Sequence, residues 1–228
     1  KPFGMLLVCG PTGSGKTTTL YSALKNIDTI ERNIVTVEDP VEYQLYGINQ
    51  VELNEDIGLT FAAALRSILR QDPNVVLVGE IRDFETADIA VKAALTGHLI
   101  LSTLHTVSAV GSIIRLTNMG IEPCLLASCW LLIGAQVFVR TLCPKCKEAY
   151  RPTAALAKEF SYSNLEMSEK SVFYKKKGCP SCNNIGFKGR IALVETLEIS
   201  EAIKEAVING ASQSEIRDIA VREGMVSL

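Results

Sequence analysis

The sequence predicts an α/β fold with a mostly parallel sheet, and three observations carry the expectation. Short apolar runs alternate with amphipathic, helix-length stretches over most of the chain. A glycine-rich loop joins the first run to the first helix, and the runs are continuous rather than alternating, as strands covered on both faces require. Residues 5–9 (MLLVC) form the first run, a helical stretch follows over 17–24, and residues 33–37 make a second buried strand. Phe61, Leu65, Ile68 and Leu69 fall at i, i+4, i+7 and i+8, one face of a helix that stops before Asp72-Pro73. Residues 74–78 read as strand. The stripe Ala87, Ala90, Val91, Ala94 and Leu95 marks a helix ended by Gly97, and residues 98–104 return as strand. Further helical and strand segments lead to Arg140.

From Cys143 to Cys182 the texture becomes polar and lysine-rich, bounded by two cysteine pairs, and reads as an inserted subdomain. After it, residues 190–197 resemble an edge strand and Ser200 opens a helical tail. Ser212 and Glu215 there have the spacing of a capping box, in which each side chain satisfies a free amide at the helix start. The expected division is a P-loop core over 1–142, a tetracysteine subdomain over 143–182, and a closing strand with the start of a C-terminal helical region over 183–228. Cys9, Cys124, Cys129, Trp130 and Phe138 lie in apolar contexts and are expected in the core.

A chain of 228 residues suits one large domain with a small appendage, and both ends read as cuts through a longer protein. The formal net charge of −2 leaves no basic excess to attract a polyanion, so nucleic acid is not an expected partner. No run approaches the ~20 consecutive apolar residues that a bilayer span requires, so the chain is expected to be soluble; no signal peptide is visible. Seven cysteines, four of them in two Cys-x-x-Cys pairs, suggest metal rather than disulfides and therefore a reducing cytoplasm.

Residues 10–17 read GPTGSGKT, the pattern of a phosphate-binding loop, between a buried strand and a helix start, where the mechanism needs it. Gly13 and Gly15 let successive N–H groups point at phosphate oxygens, aided by the positive end of the helix. Ser14, Lys16, Thr17 and Thr18 complete the nucleotide-binding set; Lys16 adds a charge for the β and γ phosphates and the Thr17 hydroxyl is the Mg²⁺ ligand. The strand over 74–78 delivers Gly79 and Glu80 to the same edge, and Glu80 is the candidate that polarises water. Gly79 stands where an aspartate is usual, so a second carboxylate is expected nearby; Glu38, ending the strand before Asp39, supplies one. Solvated acids in turns are the alternative for both. His98 and His105 bracket one apolar strand and are candidate γ-phosphate sensors, against a purely structural role. Cys143, Cys146, Cys179 and Cys182 form two knuckles whose thiolates converge on one structural Zn²⁺ with no open position, against a redox pair or unligated thiols.

These residues resemble the carboxy-terminal ATPase domain of the type II secretion and type IV pilus-assembly ATPases. The resemblance runs through the Walker A loop at 10–17, an aspartate box at 36–42 (TVEDPVE), an atypical Walker B stretch ending VGEIRD at 78–83, and a histidine box at 96–106 (TGHLILSTLHT). It implies a RecA-like fold and ATP hydrolysis with Mg²⁺. It also implies a homo-hexameric ring at the cytoplasmic face of the bacterial inner membrane, peripheral to it, which drives pilin or pseudopilin assembly through an inner-membrane platform protein. It assigns Glu80 the catalytic Walker B role and Glu38 a place near metal and water. The tetracysteine insert favours the assembly or secretion branch over retraction motors. Val137 departs from a common arginine, and the family's amino-terminal domain, which closes over the nucleotide, is not in this sequence. Arg66, Arg70 and Arg82 are candidate contacts to phosphate or a neighbouring subunit, with surface ion pairs as the alternative. Two competing functions stand beside the motor: a non-hydrolysing ATP-binding regulator, and a nucleic-acid motor suggested by fold alone.

Overall fold

The computed structural model describes residues 3–151 and 172–228. The interior of the expected insert, 152–171, and the side chain of Trp130, expected in the core, lie outside the described residues. In order the elements are β1 (Gly4–Cys9), α1 (Lys16–Ile27), β2 (Ile34–Glu38), β3 (Asn49–Glu52), α2 (Phe61–Ile68), β4 (Val75–Val78), α3 (Phe84–Leu95) and β5 (Leu99–Leu104). There follow α4 (Ala109–Asn118), α5 (Pro123–Cys129), β6 (Trp130–Leu142), β7 (Glu148–Tyr150), β8 (Phe173–Lys175), β9 (Phe187–Glu198), α6 (Glu201–Ile208) and α7 (Gln213–Arg222). The chain forms two compact units, Lys1–Val137 with Leu193–Leu228, and Phe138–Ala192.

One sheet runs in the order β3-β2-β4-β5-β1-β6-β9, with β1 parallel to β5 and β6, β2 parallel to β3 and β4, and β4 parallel to β5. Side chains of successive strand residues point to opposite faces. Leu7, Cys9, Val35, Val37, Val76, Val78 and Ile100 accordingly pack with α2, α3 and α4 on one face. Val8, Ile34, Val75, Leu77 and Leu101 pack with Leu20, Tyr21 and Leu24 of α1 on the other. Both sets are apolar, which is why the strands read as unbroken hydrophobic runs.

Helix starts follow local chemistry. Thr60, Asp83, Ser108 and Ser200 each accept a hydrogen bond from an N–H in the first turn of their helices. Ser212 and Glu215 form the expected capping box at α7. Helix α1 starts instead after Gly15, at φ 88°, with no side-chain cap. Strand β3, with a single aliphatic residue in NQVE, was not expected; a ladder to β2 holds it rather than an apolar pattern of its own.

Two core expectations are corrected. Cys124 is exposed near the start of a short helix, whereas Cys9 and Cys129 are buried as expected. Phe138 is 37% exposed, because its ring lies under the Arg190 guanidinium, 4.9 Å from the ring centre, rather than among aliphatic side chains.

Leu65 is fully buried where α2 packs on the sheet. Leu65→Ala should lower the unfolding free energy by about 2–5 kcal/mol; chemical denaturation, with unchanged slope against denaturant, checks it.

Candidate functional site

Gly10 follows β1 and opens the glycine-rich loop, its N–H donating to the Leu104 carbonyl at 3.3 Å. Its φ of 147° and its surroundings both exclude a side chain, since a Cβ would sit 2.2 Å from the Gln136 carbonyl oxygen. Gly13 and Gly15 are left-handed, at φ 77° and 88°. The turn so formed leads directly into α1, whose first N–H groups have no side-chain cap and lie at the positive end of the helix. Lys16 Nζ donates to the Gly10 and Pro11 carbonyls at 2.9 and 3.1 Å. Burial lowers its pKa, opposed by the negative charge of Glu80. Ser14 is buried and its hydroxyl has no hydrogen-bond partner. Thr17 is half-buried and Thr18 exposed at the first turn.

Glu80 arrives at the same edge from β4. The Ser102 and Thr103 hydroxyls of β5 donate to the Val78 and Gly79 carbonyls, both at 2.7 Å, and the Ile81 N–H donates to the Thr103 carbonyl. One Glu80 oxygen accepts from Arg82 at 2.5 Å and the other lies 3.1 Å from His105 Nε2. Burial by itself raises the Glu80 carboxyl pKa; Arg82 and His105 outweigh it and hold it below the ordinary glutamate value. Glu80 is thus an anion at neutral pH, with its side chain only 16% exposed.

Glu38 is placed differently. It is 3% exposed, and both oxygens are engaged. The Tyr21 hydroxyl of α1 donates to one; the Thr36 hydroxyl at 2.6 Å and the Gln50 amide at 3.2 Å donate to the other. Gln50 also accepts from the Leu45 N–H at 2.6 Å. Burial and then Glu38 raise the Tyr21 phenol pKa, so it stays a donor.

The two histidines part company. His105 follows β5 and reaches Glu80. His98 precedes β5, its Nδ1 3.1 Å from the Ala93 carbonyl and its own carbonyl accepting from Gly4 at the start of β1. His98 therefore sits at the opposite end of the strand from the loop, and the expectation that both histidines border the site is corrected. Of the arginines, Arg82 pairs with Glu80 and with Asp39 at 3.4 Å. Arg66 pairs with Glu85, and Arg70 donates back to the Arg66 carbonyl.

In the second unit the sulfurs of Cys143, Cys146, Cys179 and Cys182 all lie within 4.8 Å of one another. Three edges measure 4.0, 3.8 and 3.8 Å. A tetrahedral ion with metal–sulfur bonds of about 2.3 Å requires edges of about 3.8 Å, so the donor set fits Zn²⁺. The Cys179 and Gly186 N–H groups donate to Cys182 Sγ, each at 3.3 Å. Burial by itself raises that thiol; these donors, together with the Cys179 and Cys146 thiols, outweigh it and bring the pKa to about 6, while burial and the neighbouring thiols push Cys146 up to about 11, so the first proton leaves from Cys182. Gly186, left-handed at φ 80°, has no room for a Cβ, which would meet Lys176 Cβ at 2.7 Å.

A family model described as type II/IV secretion system protein matches residues 1–228. The chain belongs to the type II/IV secretion system protein family. It is 54% identical over 228 residues to the type IV pilus assembly ATPase PilB of Myxococcus xanthus, covering 100% of this chain and 40% of that relative. To the type II secretion system ATPase E of Vibrio cholerae it is 48% identical over 242 residues, covering 100% of this chain and 48% of the relative. The chain spans less than half the length of these curated relatives. Among solved structures, that of the pilus retraction motor PilT with bound ADP matches with a TM-score of 0.67 and 28% identity, covering 100% of this chain and 60% of that one. The likeness bears out the expected RecA-like P-loop fold.

Sequence reading gave no role to Tyr21, Gln50, Ser102, Thr103 or Gln136, which the fold gathers round the site residues of this type II/IV secretion system protein. The one available signal was a polar residue inside an apolar strand, as at Gln136. The departure at Gly79 has a steric cause: its N–H donates to the Val37 carbonyl at 2.8 Å, and a Cβ would lie 3.2 Å from that oxygen and 3.3 Å from Glu38 Cα. Both neighbours are backbone and cannot swing aside. Gly79→Asp, which restores the usual acidic pair, should therefore destabilise the fold by about 1–3 kcal/mol. Thermal unfolding checks it, and an unchanged midpoint would refute the steric account.

Proposed function

We propose that this chain is the ATP-hydrolysing motor domain of a type II secretion or type IV pilus-assembly machine. The observation that carries the reading is Glu80, held anionic at a strand end beside the phosphate loop and acting electrostatically on Lys16. Gly13, Ser14, Gly15, Lys16, Thr17 and Thr18 hold the phosphates, and the Thr17 hydroxyl takes Mg²⁺. The bound nucleotide with Mg²⁺ supplies an electrophilic γ-phosphoryl group. Glu80 accepts the hydrogen bond of the attacking water and orients it, while Arg82 and His105 keep the carboxylate ionised and aimed. Glu38, with both oxygens taken, supports this centre by tying α1 to the end of β2 rather than by touching water. The unit of Lys1–Val137 with Leu193–Leu228 forms the motor core, and the unit Phe138–Ala192, which carries the four cysteines, binds one structural Zn²⁺. By analogy with its relatives, the motor works as a homo-hexamer at the cytoplasmic face of the inner membrane with a platform protein. No described helix is long and apolar enough to cross a membrane.

In the full chain, Glu80→Gln should lower phosphate release at least about 100-fold while ATP binding persists, and Lys16→Ala should lose binding. Wild-type turnover in the Glu80 variant would defeat the assignment, and phosphate release absent even from wild-type hexamer would favour a non-hydrolysing regulator.

Protein purified without added metal should carry about one zinc per chain by elemental analysis. Strong chelation should expose four reactive thiols; a folded, metal-free preparation with all four already titratable would overturn the zinc site.

A further inference from the structure

Phosphate is held by main-chain N–H groups, so something must fix the peptide planes that carry them. The Ser14 side chain does not do so: its buried hydroxyl makes no hydrogen bond. Its carbonyl is held instead from outside the loop. Gln136 of β6, 4% exposed, donates from Nε2 to the Ser14 carbonyl at 2.5 Å. Its Oε1 accepts from the Thr19 hydroxyl, in the first turns of α1, at 2.8 Å. The Gln136 backbone oxygen presses on Gly10 closely enough to exclude any side chain there. A single strand residue thus meets the loop at its start, its middle and the helix that follows.

We propose that Gln136 is a positioning residue of the phosphate loop, which aims the Gly15 N–H by holding the Ser14 carbonyl from behind. The proposal rests on the nucleotide-binding reading above. In a planar trans peptide the C=O of one residue and the N–H of the next point in opposite directions. Anchoring the Ser14 carbonyl towards β6 therefore turns the Gly15 N–H away from β6 and into the turn. The task needs a donor and an acceptor on one planar group. The Ser14 carbonyl can only accept, so it must face the NH₂, which leaves the amide oxygen for Thr19. Glutamate at neutral pH offers acceptors alone and would repel the carbonyl. Methionine fills similar volume and offers neither.

Binding of ADP and of a non-hydrolysable ATP analogue to the full chain, measured by calorimetry from pH 5.5 to pH 8.5, tests this. Gln136→Met should weaken both nucleotides roughly ten- to thirtyfold, the loss of two hydrogen bonds, at every pH. It should raise KM for ATP with little change in kcat. Gln136→Glu should bind worst at high pH and recover as the pH falls. A carboxyl facing a carbonyl has its pKa raised, and below that pKa its neutral form regains one donor and one acceptor. Packing loss alone would not produce that pH dependence. Thr19→Val, which removes only the group orienting the amide, should weaken binding severalfold and serves if the Gln136 variants do not fold. Wild-type affinity in Gln136→Met or in Thr19→Val, or parallel pH profiles for the Met and Glu variants, would overturn the positioning role while leaving the ATPase reading intact. A wild-type chain that binds no nucleotide would overturn both.

Discussion

Parallel strand direction is the constraint on which this structure depends. Because β1, β2, β4 and β5 run the same way in register, their carboxyl ends deliver Gly10, Glu38, Glu80 and His105 to one edge of the sheet. No loop has to reach across the molecule to assemble them. Hydrophobic pairing along the strands therefore fixes the geometry of groups that are themselves polar, and each strand end is further pinned by its neighbour, as Ser102 and Thr103 pin the segment before Glu80. A site built on strand ends loses little entropy when it binds, since the backbone is already ordered by the core.

Two carboxylates share that edge, and environment divides their roles. Glu38 is enclosed and saturated by Tyr21, Thr36 and Gln50, so releasing it to act on water would strand several buried polar groups. Glu80 keeps partial access to solvent and faces two cationic or polar partners on flexible, exposed side chains, Arg82 and His105, which can yield when another group arrives. Exposed pairs of this kind contribute little stability, and their worth here is to keep one carboxylate charged in a half-buried place. The same economy explains Gly79. Close approach of β4 to the β2 backbone crowds any side chain at Gly79, so the two carboxylates of this edge come from separate strands, Glu38 from β2 and Glu80 from the segment after β4.

Legibility in the sequence followed the range of the interaction. The phosphate loop, the α7 capping box and the cysteine knuckles are local patterns, in which the residues that act lie within a few positions of one another. The strands of the sheet were legible because burial on both faces leaves an unbroken apolar run. Strand β3 was not, since a polar sequence there is held by a ladder to β2 that no local pattern announces. The histidines show the limit most plainly. His98 and His105 look equivalent as brackets of one apolar run. A strand rises about 3.3 Å per residue, so its two ends lie about 20 Å apart, and direction decides which bracket meets the site. Phe138 and Cys124 misled for a related reason: an apolar neighbourhood in sequence does not say which side of a strand or helix meets the core.

The tetracysteine unit inverts the logic of the first. Among its described residues, those buried are Cys143, Cys182 and Gly186, and its strand pair β7 with β8 is three residues on each side. Exposed cations lie over rings there, Lys147 over Tyr174 and Arg140 over Phe187, where an aliphatic core would otherwise be. Such contacts contribute about 0.5–1 kcal/mol each at exposed sites, too little to offset the entropy of ordering the segment. A bound metal changes that balance, because zinc on four thiolates contributes roughly 10–16 kcal/mol of apparent binding energy that folding alone makes available. Zinc held by the four sulfurs of two distant knuckles, with Gly186 kept small and main-chain N–H groups donating to Cys182 Sγ, would therefore let this segment hold one shape among its described residues.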